Sequence, residues 1–394
     1  MKILLINVVC GIRSTGRICS DLAVALEKQG HTVKIAYGRE KVPEQYSKYA
    51  VRIGKDLDVK IHGLAARSFD MCGWGSKKAT EMFIKWVKEY NPDVIHLHNI
   101  HGYYINVKVL FDYIRDSGKK IIWTLHDCWA FTGHAAFCGA EHCERWTKGC
   151  YACPKKADYP ASLIDNSKIN WYRKRSTFTG IPNLTIVTPS RWLGTLVKKS
   201  FLKKYPVKVI KNGIDTSVFK PTLCKTVLKM FNIKNKKIIL GVAAVWDKRK
   251  GLSDFIKLRE MLDLGEYTIV LVGLNKKQIN TLPDGIIGIE RTDSIDELVE
   301  LYSVADIFVN LTYEDNYPTT NLEAIACGTP VITYDTGGSG ESASLYGRVI
   351  KQGDIIAVAK TIINWETPEN RLQTNETIDI ARMLKSYITI ISDR

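Results

Sequence analysis

Short apolar runs alternate with longer stretches whose apolar positions recur at helical spacing, and this alternation fills nearly the whole chain. In the first half KILLINVV, TVKIAYG, DVIHLHN, KIIWTLHD and LTIVTPS read as strands; in the second half KIILGVAAV, YTIVLVG, DIFVNLTY and PVITYDT do. Segments such as SDLAVALEKQG and SIDELVELYSVA between them read as amphipathic helices. Strands that are apolar on both faces, separated by helices, predict parallel sheets covered on both sides, an α/β fold. The alternation restarts after VKVIKNGIDTSVFKPT, a stretch punctuated by Gly, Asn and Pro without a period of its own.

That restart predicts two domains, 1–205 and 206–377, each Rossmann-like, facing across a cleft into which the carboxyl ends of their strands open. The last stretch, IDIARMLKSYITIISDR, reads as an amphipathic helix that can pack on either domain, so 378–394 is expected to return to the first. A length of 394 residues with 45% hydrophobic composition supplies two cores. No apolar stretch is long enough to span a bilayer, and MKILLINVV runs too soon into Arg13 and Arg17 to be a signal peptide. Ten cysteines without an export signal predict the reducing cytoplasm. A net charge of +15 points to anionic partners: phosphorylated ligands, acidic lipid or nucleic acid.

The stretch EDNYPTTNLEA follows a strand and opens a helix. Unpaired N–H groups at such a helix start attract anions. Thr319, Thr320 and Asn321 are suited to capping it and donating to phosphate oxygens, and Glu323, expected within the first turn, can accept from the hydroxyls of a ribose. Asp315 lies on the loop, where it can meet a second polyhydroxylated group. The plainer alternative is that these acids only complement the helix dipole.

DNYPTTNLEAIACGTPV resembles the acid-x7-Glu signature of the retaining glycosyltransferases of family four, which have the two-domain GT-B fold, and the order of the other motifs matches over nearly the whole chain. The resemblance implies that Glu323 holds the nucleotide ribose and that Asp315 approaches the donor sugar. The family usually carries Glu at the first position, which leaves Asp315 and neighbouring Glu314 as alternatives. Lys250 before Gly251 in AAVWDKRKGL matches the lysine directed at the donor diphosphate. Val245 and Ala244 stand where the family commonly adds an arginine, and Arg249 is the candidate to replace it.

VVCGIRSTGRI nearly spells a phosphate-binding loop, but Arg17 and Ile18 occupy the places of the required Lys and Ser/Thr, which excludes an NTPase of that type. Gly16 instead resembles the family's first-loop glycine, against which donor phosphate and sugar approach the backbone; a plain turn is the alternative. His126 in WTLHDCW matches the family's histidine near the donor sugar, while His98 and Asn99 in IHLHNIHG look like residues that meet the acceptor. The family needs no catalytic metal, and no cofactor is expected for catalysis.

Cys138, Cys143, Cys150 and Cys153 form C-x4-C-x6-C-x2-C, whose closing C-x2-C suits a structural zinc; two disulfides or free thiols are the alternatives. SRWLGTLVKKSFLKKYPVK sets Trp192, Leu193, Leu196, Val197 and Phe201 against Lys198, Lys199, Lys203 and Lys204. Such a helix either lies on anionic lipid or packs into the core with a solvated basic face. The expected function is transfer of a sugar from a nucleoside-diphosphate-sugar to a glycan or lipid-linked acceptor in surface polysaccharide assembly, in the cytoplasm or peripherally at the inner face of the cell membrane. The alternatives are an epimerase or phosphorylase of the same fold, or a basic nucleic-acid-binding protein with a zinc knuckle, although no nucleic-acid reader motif is present.

Overall fold

A computed structural model describes the chain except residues 138, 140–142, 224–225, 231–235, 367–374 and 394. The protein divides into two units, Met1–Ile210 with Leu384–Arg394, and Lys211–Met383. Each holds one parallel sheet covered by helices.

The sheet of the first unit contains β1 (Lys2–Ile6), β2 (Thr32–Tyr37), β3 (Ala50–Arg52), β4 (Val94–Leu97), β5 (Lys120–Thr124), β6 (Leu184–Thr188) and β7 (Val207–Val209). Their order is β3-β2-β1-β4-β5-β6-β7. β7 pairs with β6, Ile186 opposite Val207, so the first sheet extends beyond residue 206 and the units part after Ile210. The C-terminal helix Ile380–Ser392 contributes Tyr387 to the first unit, where its ring lies 5.4 Å from that of His96.

The second sheet contains β8 (Lys237–Val242), β9 (Tyr267–Val272), β10 (Ile286–Ile289), β11 (Ile307–Asn310), β12 (Val331–Tyr334) and β13 (Gly347–Ile350), in the order β10-β9-β8-β11-β12-β13. Both sheets are therefore doubly wound. In each, the first strand of the sheet sits beside the fourth, and the winding reverses between them; the crevice beyond the carboxyl ends of such a strand pair is where α/β sheets bind ligands. In the first unit that pair is β1 and β4, in the second β8 and β11.

The helix Arg191–Lys199 shows how one of the open expectations resolves. Leu193 and Val197 are fully buried, Trp192, Leu196 and Phe201 pack on the same core, and Lys198, Lys199, Lys203 and Lys204 remain outside. Most of its apolar face is therefore used within the first unit, with Trp192, Leu196 and Phe201 half-buried at its margin. Among the described residues, no helix is long and apolar enough to cross a membrane.

Candidate active site

In the second unit the loops leaving β8 and β11 are knitted together. A short 3-10 turn, Lys248–Lys250, is capped by Asp247, whose Oδ1 accepts from the Lys250 amide at 3.2 Å. Gly251 follows with φ +74°, and a Cβ there would lie 2.2 Å from the Leu311 carbonyl oxygen. The Tyr313 amide donates to the Arg249 carbonyl at 2.7 Å, and the Arg249 guanidinium returns a 2.8 Å bond to the Glu314 carbonyl. These contacts bring the Lys250 ammonium to 2.6 Å from Asp315 Oδ2, with Arg249 Nη1 at 3.9 Å from the same oxygen. Both partners of the shorter pair remain partly open, at 15% and 18% side-chain exposure, so solvent or an incoming ligand can reach them.

The Asp315 backbone is held from the other side. Its carbonyl accepts from the Gly338 amide at 3.1 Å, and Gly337, φ +55°, passes so close that a Cβ would meet that oxygen at 1.8 Å. Glu314 is buried.

Pro318 then starts the helix Thr319–Ala326, whose first turn carries no acid. Glu323 is its fifth residue and so opens the second turn, a correction to the sequence-based expectation. It is 8% exposed, and its Oε2 accepts from the buried Tyr302 hydroxyl at 2.9 Å. Thr319 and Thr320 are half-buried at the helix start. Asn321, expected to donate to phosphate, is fully buried: its amide donates to Ser342 Oγ at 2.9 Å, and its carbonyl oxygen accepts from Asn310 at 2.8 Å. It ties the helix to β11 and to the segment after β12.

Sequence reasoning missed Asp254. Buried one turn beyond Lys250, it accepts from the Tyr313 hydroxyl at 2.6 Å and the Tyr334 hydroxyl at 2.9 Å and so braces the Asp315 loop. Burial, together with the bond to this carboxylate, pushes the Tyr313 hydroxyl up to about 12.

In the first unit the corresponding strand pair ends at Asn7 and His98. Asn7, also missed, is fully buried; its amide donates to the Val9 carbonyl at 2.8 Å and its oxygen accepts from the Asn99 amide at 3.2 Å, joining the two loops. Gly16 is buried in the first turn of Arg13–Lys28, and its carbonyl accepts from the Gly11 amide at 3.2 Å. A Cβ on it would press on Val9 at 3.0 Å, so a bare residue here lets the loop fold over the helix start.

A small pocket beyond β4 and β5 is lined by His98, Asn99, His101, His126, Asp127 and Trp129 among others. His98 Nδ1 lies 3.0 Å from His126 Nε2, and His98 Nε2, buried, has no hydrogen-bond partner among the described residues. Burial drives the His126 ring down to about 4, and the Asp127 charge only partly opposes it. The same burial, with His96 and His126 beside it, pulls His98 well below the ordinary range. Both rings are neutral at pH 7 and serve as hydrogen-bonding groups rather than as cations.

Beside them His101 Nε2 meets Asp127 Oδ2 at 2.9 Å and its Nδ1 meets the Tyr159 hydroxyl at 3.0 Å. Burial favours the protonated form of Asp127, but the bonds from His101 and the Trp129 amide outweigh it and hold the carboxyl below its usual range. This His-Asp-Tyr chain also escaped sequence reasoning, although His101 and Asp127 lie within the histidine segments it singled out.

Cys143, Cys150 and Cys153 are free thiols, and Cys138 lies outside the described residues. Cys150 Sγ accepts from the Gly133 amide at 3.1 Å; burial pushes its thiol up to about 12 and that of Cys153 up to about 11. Among the described residues no three His, Cys, Asp or Glu side chains form a group able to hold a metal ion; the four-cysteine set expected from the sequence includes Cys138, which lies outside them.

Among known proteins, the chain is 23% identical over 98% of its length, and 98% of the relative's, to WcaC of Escherichia coli (strain K12), provisionally named a colanic acid biosynthesis glycosyl transferase. It is 28% identical, over 49% of its own length and 57% of the relative's, to the N,N'-diacetylbacillosaminyl-diphospho-undecaprenol alpha-1,3-N-acetylgalactosaminyltransferase of Campylobacter jejuni subsp. jejuni serotype O:2 (strain ATCC 700819 / NCTC 11168). Two solved structures share the fold. The sucrose-phosphate synthase of Thermosynechococcus elongatus has a TM-score of 0.72 at 15% identity, covering 99% of this chain and 98% of that one. Anabaena HepE in complex with UDP-glucose has a TM-score of 0.68 at 13% identity, covering 100% and 99%. Residues 226–379 match the description "Glycosyl transferases group 1" and residues 15–218, just over half of the chain, match "Glycosyltransferase Family 4"; the chain belongs to that family and is a GT-B glycosyltransferase.

Proposed function

We propose that the protein transfers a sugar, with retention of configuration, from a nucleoside-diphosphate-sugar to a hydroxyl of a glycan or lipid-linked saccharide in surface polysaccharide assembly. One observation carries the reading: Lys250 and Arg249 converge on Asp315 at the carboxyl ends of β8 and β11, where the winding of the second sheet reverses. Two cations held against one partly open carboxylate make a site that an arriving diphosphate can take over, with Asp315 then released toward the donor sugar. Lys250, Arg249 and the N–H groups opening Thr319–Ala326 absorb the charge that develops on the departing diphosphate. Glu323 accepts from the ribose hydroxyls, and the neutral His98 and His126 hydrogen-bond sugar hydroxyls in the first unit. The acceptor hydroxyl attacks from the face the diphosphate leaves, and its proton passes to the leaving phosphate. The relatives support this choice: one is named for transfer to a diphospho-undecaprenol-linked sugar, and HepE has been solved in complex with UDP-glucose.

A charge-assisted bond to phosphate is worth roughly 1.5 to 3 kcal/mol, so Lys250→Ala should weaken binding of the cognate nucleoside diphosphate about ten- to a hundred-fold. Calorimetric titration with UDP, GDP and ADP, followed by transfer assays with an anomer-resolved product, tests both halves of the proposal. Unchanged nucleotide affinity in the variant sinks the site; an inverted product, or donor epimerisation without acceptor, sinks the reaction.

A further inference from the structure

Beyond the carboxyl ends of β1, β2 and β4 the first unit sets two tyrosine rings and a guanidinium in one corner. Tyr159 arrives on the long connection between β5 and the helix Ser167–Phe178, and its hydroxyl meets His101 Nδ1 at 3.0 Å. Asp127 accepts from His101 Nε2 at 2.9 Å and so fixes the imidazole, which holds the Tyr159 ring by its tip although the residue is 47% exposed. The Tyr103 ring stands 6.3 Å from it, at 62°. Tyr103 itself has φ +73°, a left-handed conformation that is costly for a bulky side chain and that collects at functional sites. Gly102 before it, at φ +108°, lets the chain pass Val8: a Cβ there would meet Val8 Cγ2 at 2.7 Å and come within 3.9 Å of the Tyr159 hydroxyl. The corner therefore lies where the loops leaving β1 and β4 cross, at the crevice in which such sheets bind ligands.

Arg39, two residues past β2, supplies the charge. Its amide donates to the Val8 carbonyl at 3.0 Å, and its guanidinium lies 5.9 Å from the centre of the Tyr103 ring. Burial keeps the Tyr159 hydroxyl well above its ordinary range and the Arg39 charge opposes it, as it does at Tyr103, so the guanidinium is within electrostatic reach of both rings. Arg39 is half-buried, and no acid among the described residues pairs with it. Neighbouring Glu40 is bound to Arg13 at 2.7 Å, and Asp127 is engaged by His101 and by the Trp129 amide. The pocket that His101 and Asp127 line also contains His98, whose buried Nε2 has no partner among the described residues. Exposed aromatic faces beside an unpaired guanidinium suit a saccharide that carries an anion: the C–H face of the sugar stacks on a ring, and a carboxylate or phosphate takes the fork of the arginine. A cation–π contact between Arg39 and Tyr103 with no further role is the competing reading, and it would leave the corner blind to the charge of a ligand.

We infer that Tyr159, Tyr103 and Arg39 form a subsite for the acceptor, the rings stacking on one of its sugars and the guanidinium selecting an acceptor whose saccharide carries an anionic group, a carboxylate on the ring or a phosphate at the anomeric carbon. His101 and Asp127 are positioning residues that hold the Tyr159 ring. The inference rests on the proposed transfer reaction for the ligand's role, and it narrows the acceptor from any hydroxyl-bearing saccharide to an anionic one.

Ligand-detected NMR on the full chain, with UDP, GDP and ADP in excess to fill the diphosphate site, provides the test with three probes: methyl β-glucoside, methyl β-glucuronide and glucose 1-phosphate. Wild-type protein should bind one of the two anionic probes about ten-fold more tightly than the neutral one, and which of them it prefers distinguishes a uronate from a carrier-linked phosphate. Arg39→Gln should erase the preference and Arg39→Lys should restore part of it. Tyr159→Ala should weaken all three probes by at least about five-fold. His101→Phe and Tyr159→Phe, each of which breaks the bond between these residues, should weaken them by equal factors, and the double variant should be no weaker than either, as expected of a pair that acts through one contact. Neutral and anionic probes that bind equally, no binding of any probe, an Arg39→Gln variant that keeps the preference or a Tyr159→Ala variant that binds as wild type does overturns the inference. The Arg39 variants alter an open side chain and carry the test alone should Tyr159→Ala fail to fold. Preference for an anionic probe that depends on Arg39, in a protein that transfers no sugar, would leave the subsite standing and remove the proposed reaction; transfer by a protein blind to probe charge would do the reverse.

Discussion

His62 makes the stability of the first unit depend on mild acid. Its ring is 1% exposed, and two backbone N–H groups, of Gly73 and Gly75, converge on Nε2, while Nδ1 lies 3.0 Å from Ser76 Oγ. Both amides need a lone pair on Nε2, which assigns the proton to Nδ1 of a neutral ring and leaves the Met71 carbonyl, 3.2 Å from Nε2, without a donor there. Burial carries it down to about 4 against an ordinary 6.5, with the Met71 and Tyr103 carbonyls opposing. The unfolded chain therefore binds a proton through a window, from about 6.5 down to about 4, in which the native ring does not, and stability falls as pH falls through it. Between pH 7 and pH 5 the linkage amounts to about 2 kcal/mol for this group. His62→Gln offers Oε1 to the same amides without titrating. Urea melts followed by tryptophan fluorescence at pH 7 and pH 5 should show wild-type protein losing about 2 kcal/mol more than the variant over that interval. The other buried histidines titrate in both proteins and cancel in the difference. Equal losses would mean that the native ring takes up a proton as readily as the unfolded one, and the argument from the two amides would be wrong.

Three other outcomes are expected. Glu323→Gln keeps an acceptor for the Tyr302 hydroxyl but removes the charge, so donor KM should rise about ten-fold with the melting temperature little changed; a fall in Tm without a KM effect would assign Glu323 to the core alone. Lys174, buried with its ammonium on the Trp129 and Thr132 carbonyls, is lowered by burial to about 8 from 10.5. Its penalty on the native state is relieved as pH rises from about 8 toward 10.5, so stability should gain about 2 kcal/mol between pH 7 and 9.5, and Lys174→Met should flatten that slope in chemical melts. Gly251→Ala forces a Cβ against the Leu311 carbonyl at positive φ, and should cost well over 1 kcal/mol and weaken nucleotide binding together, read by calorimetry and melting on the same samples.

The strands legible in the sequence and those that were not differ in one physical respect. The nine read as apolar runs, among them KILLINVV, KIIWTLHD, YTIVLVG and PVITYDT, all lie inside a sheet; the four that escaped, β3, β7, β10 and β13, are its edges. An interior strand between two helical layers is buried on both faces, as β9 is along its whole length, and so is mostly apolar. β3 and β7 have three residues each and none buried, so there is little apolar pattern to detect. β7 is the case with a consequence: Val207–Val209 lies in the stretch that seemed to separate the domains, yet it completes the first sheet.

The candidate site divides along a similar line. Lys250 and Asp315 stood out because each lies in a loop that follows a strand and matches a motif of the family, and the ion pair between them rests on loops fixed by backbone bonds. Asn7, Asp254 and the His101-Asp127-Tyr159 chain gave no comparable signal, because their partners are 92, 80 and 58 residues away in the chain. A buried polar side chain is tolerable only when its partner is in place, so these residues mark the sites where tertiary structure supplies what local sequence lacks. Asn321 illustrates the converse. Its position at a helix start suggested a ligand, but three neighbours satisfy its side chain before any ligand could: Asn310 donates to its oxygen, and its nitrogen donates to the Ser342 hydroxyl and to the Ser339 hydroxyl and carbonyl. What such residues secure is the direction of the helix start rather than contact with a ligand, and backbone N–H groups there keep one aim whatever donor the loop receives.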